Sequence, residues 1–342
     1  MKKYAKDILK LVLFLSLGVF FVWFSLKDLS PEQRSMILTN AKEVMHDNRW
    51  IYLIICVFIG FLSVLFRGLR SVLMIEPLGH KVSKTNSYHA VMIGYLANLA
   101  FPRLGELLRC SILQKYEKVP FQKSLGTVIT ERIIDIIIFG IMLLIALGLE
   151  SERLFSILEN SNVSEKVMAM LSGSGKYIIL GAMAAVVILI YALRKKISNL
   201  SIYQKVVKIL KGFWAGLVSI KDLKNPFLFV VYSVLIWICF FLMFYVCTFA
   251  FPSLMALGAK TVILASLACV VVGTLGFIVA QGGLGAYPLL VSMVLLLYGI
   301  SEESGLAIGW VVWTTETIMY LVLGLISLLM LLFSKSKTNE NL

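Results

Sequence analysis

The sequence has 342 residues, 59% of them hydrophobic, with a mean hydropathy of +0.91 and a formal net charge of +13. Soluble domains run closer to about 45–50% apolar, and several runs here pass the roughly 18 apolar residues that mark a membrane helix; the expectation is an all-α polytopic membrane bundle forming a single integral membrane domain over residues 1–342. No polar stretch is long enough for a soluble domain, and the basic residues lie in loops beside apolar runs, so membrane lipid rather than nucleic acid is the expected partner.

The five cysteines (Cys56, Cys110, Cys239, Cys247, Cys269) lie in or beside apolar runs and form no CxxC, so they read as small buried hydrophobes. His46, His80 and His89 show no ligand spacing. No metal and no cofactor is expected.

In chain order, MKKYAKDILK precedes the apolar run LVLFLSLGVFFVWFSL. That run exceeds a signal-peptide core of about 7–15 residues and no A-x-A-like site follows, which predicts an uncleaved helix from about Ile8 to Leu26. The charge-balanced loop Lys27–Arg49 contains Pro31 after Ser30, a helix-start pattern for a short surface helix. A second helix is expected from Trp50 to about Phe66, followed by a basic loop with Arg67, Arg70, Lys81 and Lys84. The run Thr85–Phe101 is softened by Asn86, Ser87, His89 and Asn98 and broken at Pro102. Arg103–Lys118 is helical but too polar to span alone, and a long apolar run covers about Phe121 to Leu149.

Loop 150–176 is acidic and a helix is expected at about Tyr177–Leu193. The connection 194–225 is strongly basic. Within it Val206, Val207, Leu210, Phe213, Trp214 and Leu217 share a face opposite Lys205, Lys208 and Lys211. That pattern fits an interfacial amphipathic helix or a linker helix packed under the bundle. Further helices are expected at about Phe227–Phe251, from Lys260 to Ala280, at Leu289–Ile300 and at Leu306–Phe333, giving six to eight crossings.

The Lys/Arg bias places both termini, loop 67–84 and connection 194–225 in the cytoplasm, and the protein in the cytoplasmic (inner) membrane. This works only if residues 85–118 form a re-entrant hairpin. By the same alternation segment 261–300 starts and ends outside, as two full helices or as a second hairpin. The portions about 50–149 and 226–333 are then candidate inverted pseudo-repeats, each with an interrupted helix, as in many transporters.

Residues 94–135 carry Asn98, Pro102, Arg103, Glu106, Arg109, Glu131, Arg132 and Asp135 between apolar runs. A charge at mid-bilayer costs on the order of 2.5–3.5 kcal/mol by insertion scales, so these groups must face one another, water or a ligand. Arg103, Glu106 and Arg109 are successive i,i+3 neighbours on one helix; Glu131 and Asp135 are i,i+4 on the next. The two faces can close through Arg103 or Arg109 with Glu131 or Asp135. One reading is a set of ion pairs fixing a kinked hairpin. The other is a cleft for an anionic headgroup, for which the planar, permanently charged guanidinium is suited. The two are compatible. Backbone N–H groups freed at the Pro102 break and at Gly282–Gly283 are expected to point into such a cleft. The turn with Gly282, Gly283 and Gly285 also reads as a close-packing or hinge element. Glu316, beside Thr314, Thr315 and Thr317, is a candidate proton-coupling site or partner for a buried arginine.

At these residues the chain resembles the transmembrane region of lysylphosphatidylglycerol synthase and its stand-alone, flippase-like relatives. The resemblance is carried by N-x3-P-R-x-G-E-x2-R at Asn98, Pro102, Arg103, Gly105, Glu106 and Arg109, then E-R-x2-D at Glu131, Arg132 and Asp135, then the Gly-Gly-Leu-Gly turn at Gly282, Gly283, Leu284 and Gly285. It covers essentially the whole chain in order and spacing. The chain departs from the pattern at the turn: Gln281 stands where a proline is expected, and Tyr287 and Pro288 follow where an acid is expected. Glu316 is the candidate substitute.

The resemblance implies a lipid flippase or transporter, not an enzyme, moving a phospholipid or other anionic or zwitterionic headgroup across the membrane. The sequence shows no aminoacyl-transferase domain, so a separate lipid-modifying enzyme is expected to supply any such substrate; a homo-oligomer is left open. Two other classes stay open: an enzyme or accessory acting on polyprenyl-phosphate-linked sugars, and a non-catalytic membrane scaffold.

Overall fold

The computed structural model describes residues 31, 35, 39, 48–101, 103–159 and 222–333, with the backbone alone at 100, 151–159, 279, 281, 332 and 333. The expected helices at 8–26 and 177–193, the acidic loop beyond 159, most of connection 194–225, the C-terminal tail and Pro102 lie outside the described residues. Pro31, Ser35 and Thr39 are helical and exposed, as the surface-helix pattern predicts.

Helix α1 (Trp50–Ile75) has 26 residues. At about 1.5 Å per residue it measures about 39 Å, more than the roughly 30 Å hydrocarbon core. Ile51, Ile54 and Phe58 face outward, while Cys56, Gly60, Ser63, Val64, Arg67 and Arg70 are buried. The helix ends in the 3-10 turn Glu76–Leu78, with Gly79 left-handed at φ 83°. It therefore runs past Phe66, where the sequence reading ended it. Arg67 and Arg70 belong to the helix interior, not to a loop, because their charges are met inside the bundle and need no exit to water.

Helices α2 (Lys84–Ala100) and α3 (Leu104–Glu117) have 17 and 14 residues. At about 26 and 21 Å, both are shorter than the hydrocarbon core. They fold back on each other at Phe101–Arg103. A Cβ added at Gly105 would collide with the carbonyl oxygen of Gly94, so the two backbones touch there and only glycine fits. The open end is clasped by a 2.6 Å hydrogen bond from Asn86 Nδ2 to Glu117 Oε1. Next to it, Lys123 Nζ donates to the Leu78 carbonyl at 3.1 Å. The end of α1, both ends of the hairpin and the start of α4 (Phe121–Glu159) thus lie at one face, as a re-entrant hairpin requires. Residue Glu150 of α4 is non-helical (φ −138°, ψ 32°), which closes its membrane portion.

Helix α5 (Pro226–Thr248) runs antiparallel to α1: Phe66 stacks on Tyr232 at 5.9 Å near one end and Tyr52 on Phe249 at 5.7 Å near the other. After the single turn Pro252–Met255 the chain enters α6 (Ala259–Val279) from the opposite face. It turns at Gln281–Gly283 and returns as α7 (Ala286–Leu296). Segment 261–300 is thus a second hairpin with one arm of spanning length and one 11-residue arm. Its tip packs against α2. Helix α8 (Glu302–Phe333) then runs back along α7 and α2, with Gly309 against Pro288 and Tyr320 stacked on Tyr95 at 4.6 Å.

Five described helices (α1, α4, α5, α6 and α8) are long and apolar enough to cross a membrane, and there is no strand among the described residues. This is an all-α, multi-pass membrane protein. The largest apolar core lies among α5 to α8 and includes the buried Cys247 and Cys269. The charged residues gather among α1, α3 and α4.

Candidate functional site

Three helices each contribute charge at matching depth. Arg67 and Arg70 lie on the buried face of α1, Arg109 on that of α3, and Glu131 and Asp135 on that of α4. Glu131 is ten residues into α4 and Arg109 eight residues before the end of α3, depths of about 15 and 12 Å from the clasped face. All five are between 0 and 7% exposed.

Arg109 forks onto Glu131, with Nη1 donating to Oε2 at 2.9 Å and Nη2 to Oε1 at 2.7 Å. This bidentate geometry is the strongest form of the pair. Asp135 bridges the two arginines of α1: Arg67 Nη1 donates to Oδ2 at 2.9 Å and Arg70 Nη1 to Oδ1 at 2.7 Å. Arg70 Nη2 also stands 3.6 Å from Glu131 Oε2, linking the two carboxylates into one network. Ser233 of α5 accepts from Arg70 at 3.2 Å. The Arg67 guanidinium lies 5.7 Å from the ring centre of Tyr95 and 5.9 Å from that of Phe240.

One side of the network opens between α3 and α4. There Arg132 Nη2 meets Glu106 Oε1 at 3.2 Å, with side chains 43% and 23% exposed. Leu107 and Ile133, the chain neighbours of this pair, are exposed, as are Phe101 and Ile136.

Most of the residues expected in the site come together: Glu106, Arg109, Glu131, Arg132 and Asp135 are all members. Arg103 is not. It is exposed, precedes the first turn of α3 in the left-handed region at φ 62°, and has no ion pair among the described residues. Helical i,i+3 spacing does not extend to a residue outside the helix, which is why the expected three-residue row shortens to Glu106 and Arg109. Asn98 serves the turn, its Oδ1 accepting from the Gly105 N–H at 2.8 Å. That donor and the Gly283 N–H, bonded to the Ala280 carbonyl at 3.0 Å, are taken up within their own turns, so these two are not free to line a cleft.

In the second hairpin Gly282, Gly283 and Gly285 have φ of 58°, 72° and 69°, values that favour glycine. The Gly282 carbonyl accepts from Trp313 Nε1 at 2.7 Å. Glu316 accepts from the Tyr320 hydroxyl at 2.7 Å, and the stacked Tyr320–Tyr95 pair stands between it and Arg67. Glu316 is therefore no direct partner of an arginine among the described residues.

Sequence reasoning missed Arg67, Arg70, Tyr95, Ser233 and Tyr320. The first two left a signal: Ser71, Val72, Leu73, Met74 and Ile75 continue the apolar run after them, which a solvated loop would not do.

Comparison with curated proteins and with solved structures gives no match. The family profile described as the lysylphosphatidylglycerol synthase TM region matches residues 8–324, nearly the whole chain, and the protein belongs to that family.

Proposed function

We propose that the protein is a transporter, not an enzyme, which carries a lipid with an anionic or zwitterionic headgroup across the cytoplasmic membrane. The observation that carries this reading is a dense arginine–carboxylate network at membrane depth whose only half-exposed members among the described residues, Glu106 and Arg132, face the lipid between α3 and α4. A headgroup entering sideways would part that pair while its chains stayed in the bilayer. Glu131 and Asp135 already accept hydrogen bonds from guanidiniums. That favours charge balancing and binding over general-base chemistry. The clasped face holds Lys81, Lys84, Lys115, Lys118 and Lys123 and is assigned to the cytoplasm, where anionic lipid would be drawn to it.

The two interrupted hairpins entering from opposite faces, with the tip of one against α2, support the inverted-repeat reading of portions 50–149 and 226–333. The test is reconstitution of the purified protein into liposomes carrying acyl-labelled lipids, scored with a membrane-impermeant quencher. Lipid crossing is expected with wild type and at least tenfold less with Arg109→Gln. Equal crossing by both would sink the site assignment; no crossing of any lipid would sink transport.

A further inference from the structure

The buried network does not balance. Among the described residues Arg67, Arg70 and Arg109 bring three positive charges, and Glu131 and Asp135 two negative ones, which leaves one positive charge over. Arg132, which pairs with Glu106 and also stands 3.6 Å from Asp135 Oδ2, adds one positive charge and Glu106 one negative, which leaves that count unchanged. Glu316 stands behind the stacked tyrosines and makes no ion pair with the arginines among the described residues. The donors do not balance either. Among the described residues Nε of Arg67, Nε and Nη2 of Arg70, and Nε of Arg109 are buried without a hydrogen-bond acceptor, four donor atoms against one unpartnered carboxylate oxygen, Glu106 Oε2. A buried guanidinium without its counter-charge and acceptors is costly, so the enclosed network is one anion short.

We infer that the ligand which completes the site is a lipid phosphate diester with a single net negative charge and no amine. The two non-bridging oxygens of a diester offer acceptors that planar guanidinium forks bind well. One such group brings the enclosed charge to zero. A zwitterionic headgroup leaves it at its resting value and adds an ammonium among arginines. A lysyl ester of phosphatidylglycerol, with two ammonium groups to one phosphate, adds a further positive charge to a site that already has one too many. A dianionic phosphate monoester overshoots in the other direction. The inference rests on the transport reading for its site, and it assigns the substrate class which that reading leaves open. The diester can be carried by diacylglycerol or by a polyprenol, since the chains remain in the bilayer.

The test uses the full chain in liposomes with five chain-labelled lipids: phosphatidylglycerol, a polyprenyl phosphohexose, phosphatidylcholine, lysyl-phosphatidylglycerol and phosphatidic acid. At least one of the two diesters is expected to cross ten times faster or more than the last three. Which of them crosses assigns the acyl or the isoprenoid carrier. Arg70→Gln, which removes the surplus charge, is expected to cut the preference over phosphatidylcholine to threefold or less. Phosphatidylcholine or lysyl-phosphatidylglycerol crossing as fast as both diesters in wild type would overturn the inference while leaving transport standing. If no lipid crosses, transport fails, and native mass spectrometry of the detergent-solubilised wild type with the same lipids decides the charge question. Selective retention of a diester supports the assignment, and equal retention of all five overturns it.

Discussion

The two hairpins solve the same problem with opposite chemistry. In α2–α3 the arms carry polar and charged residues among apolar ones and are too short to span, and the structure is held by side chains: Asn98 at the tip, Asn86–Glu117 at the base, and Arg109 onto Glu131 across to α4. In α6–α7 the arms are apolar, and the turn is held by left-handed glycines and one carbonyl–indole bond. The difference separates ligand chemistry from scaffold: substitutions of charged side chains in the first hairpin should act on charge and transport, those in the second on packing alone.

The largest break should come at Asp135. Asp135→Ala leaves Arg67 and Arg70 without their bridging carboxylate, and removing one partner of a buried pair costs about 3–5 kcal/mol. Thermal unfolding in detergent should show this loss, and a melting curve within error of wild type would mean that the buried network is not formed. Gly105→Ala should follow. Its Cβ meets the Gly94 backbone, which cannot swing aside, and overpacking of this kind costs about 1–3 kcal/mol. By contrast Gly282→Ala meets open space at φ 58° and should cost only about 1–2 kcal/mol from the left-handed backbone.

Trp313→Phe removes the hydrogen bond to Gly282 and should lower stability by about 1 kcal/mol. Its lipid selectivity should equal that of wild type, and a changed selectivity would erase the division of labour between the hairpins. Glu106→Gln should barely move stability, since a half-exposed pair contributes about 0–1 kcal/mol. It should nevertheless raise lipid crossing at least threefold by leaving Arg132 only its longer, 3.6 Å contact with Asp135, and an unchanged rate would remove this pair from the entry route.

The smallest effect belongs to the clasped face. Partial burial, then the nearby Lys123 ammonium, lowers the proton affinity of His80 below its ordinary value of 6.5. The folded chain then binds this proton less readily than the unfolded one. Stability is fully present above the unfolded value and falls as pH drops through it toward the folded one. Melting curves at about pH 7.5 and about pH 5 should differ by less in His80→Gln than in wild type.

The fold was legible wherever hydropathy and charge agree. The re-entrant hairpin followed from Lys/Arg alternation alone, and the meeting of Arg109 with Glu131 was one of the four cross-pairs that spacing allowed. Hydropathy failed at Arg67 and Arg70, because a window that ends a helix at its first charge cannot see Asp135, sixty-odd residues away, on the neighbouring helix. Spacing failed at Arg103 because periodicity holds only inside a helix, and the residue sits one position before it. The aromatic link Tyr95–Tyr320 joins distant segments with no charge or pattern to announce it.

The sequence separations inside the charge network have a consequence for how the chain enters the membrane. The partners of its three hydrogen-bonded buried ion pairs are 68, 65 and 22 residues apart, all between Arg67 and Asp135. Among the described residues the one hydrogen bond from beyond that stretch is to the hydroxyl of Ser233. During synthesis, every buried arginine can therefore find its carboxylate before α5 has left the ribosome. Both buried carboxylates are paired within the first half, and the later helices insert beside a unit whose ion pairs are already made.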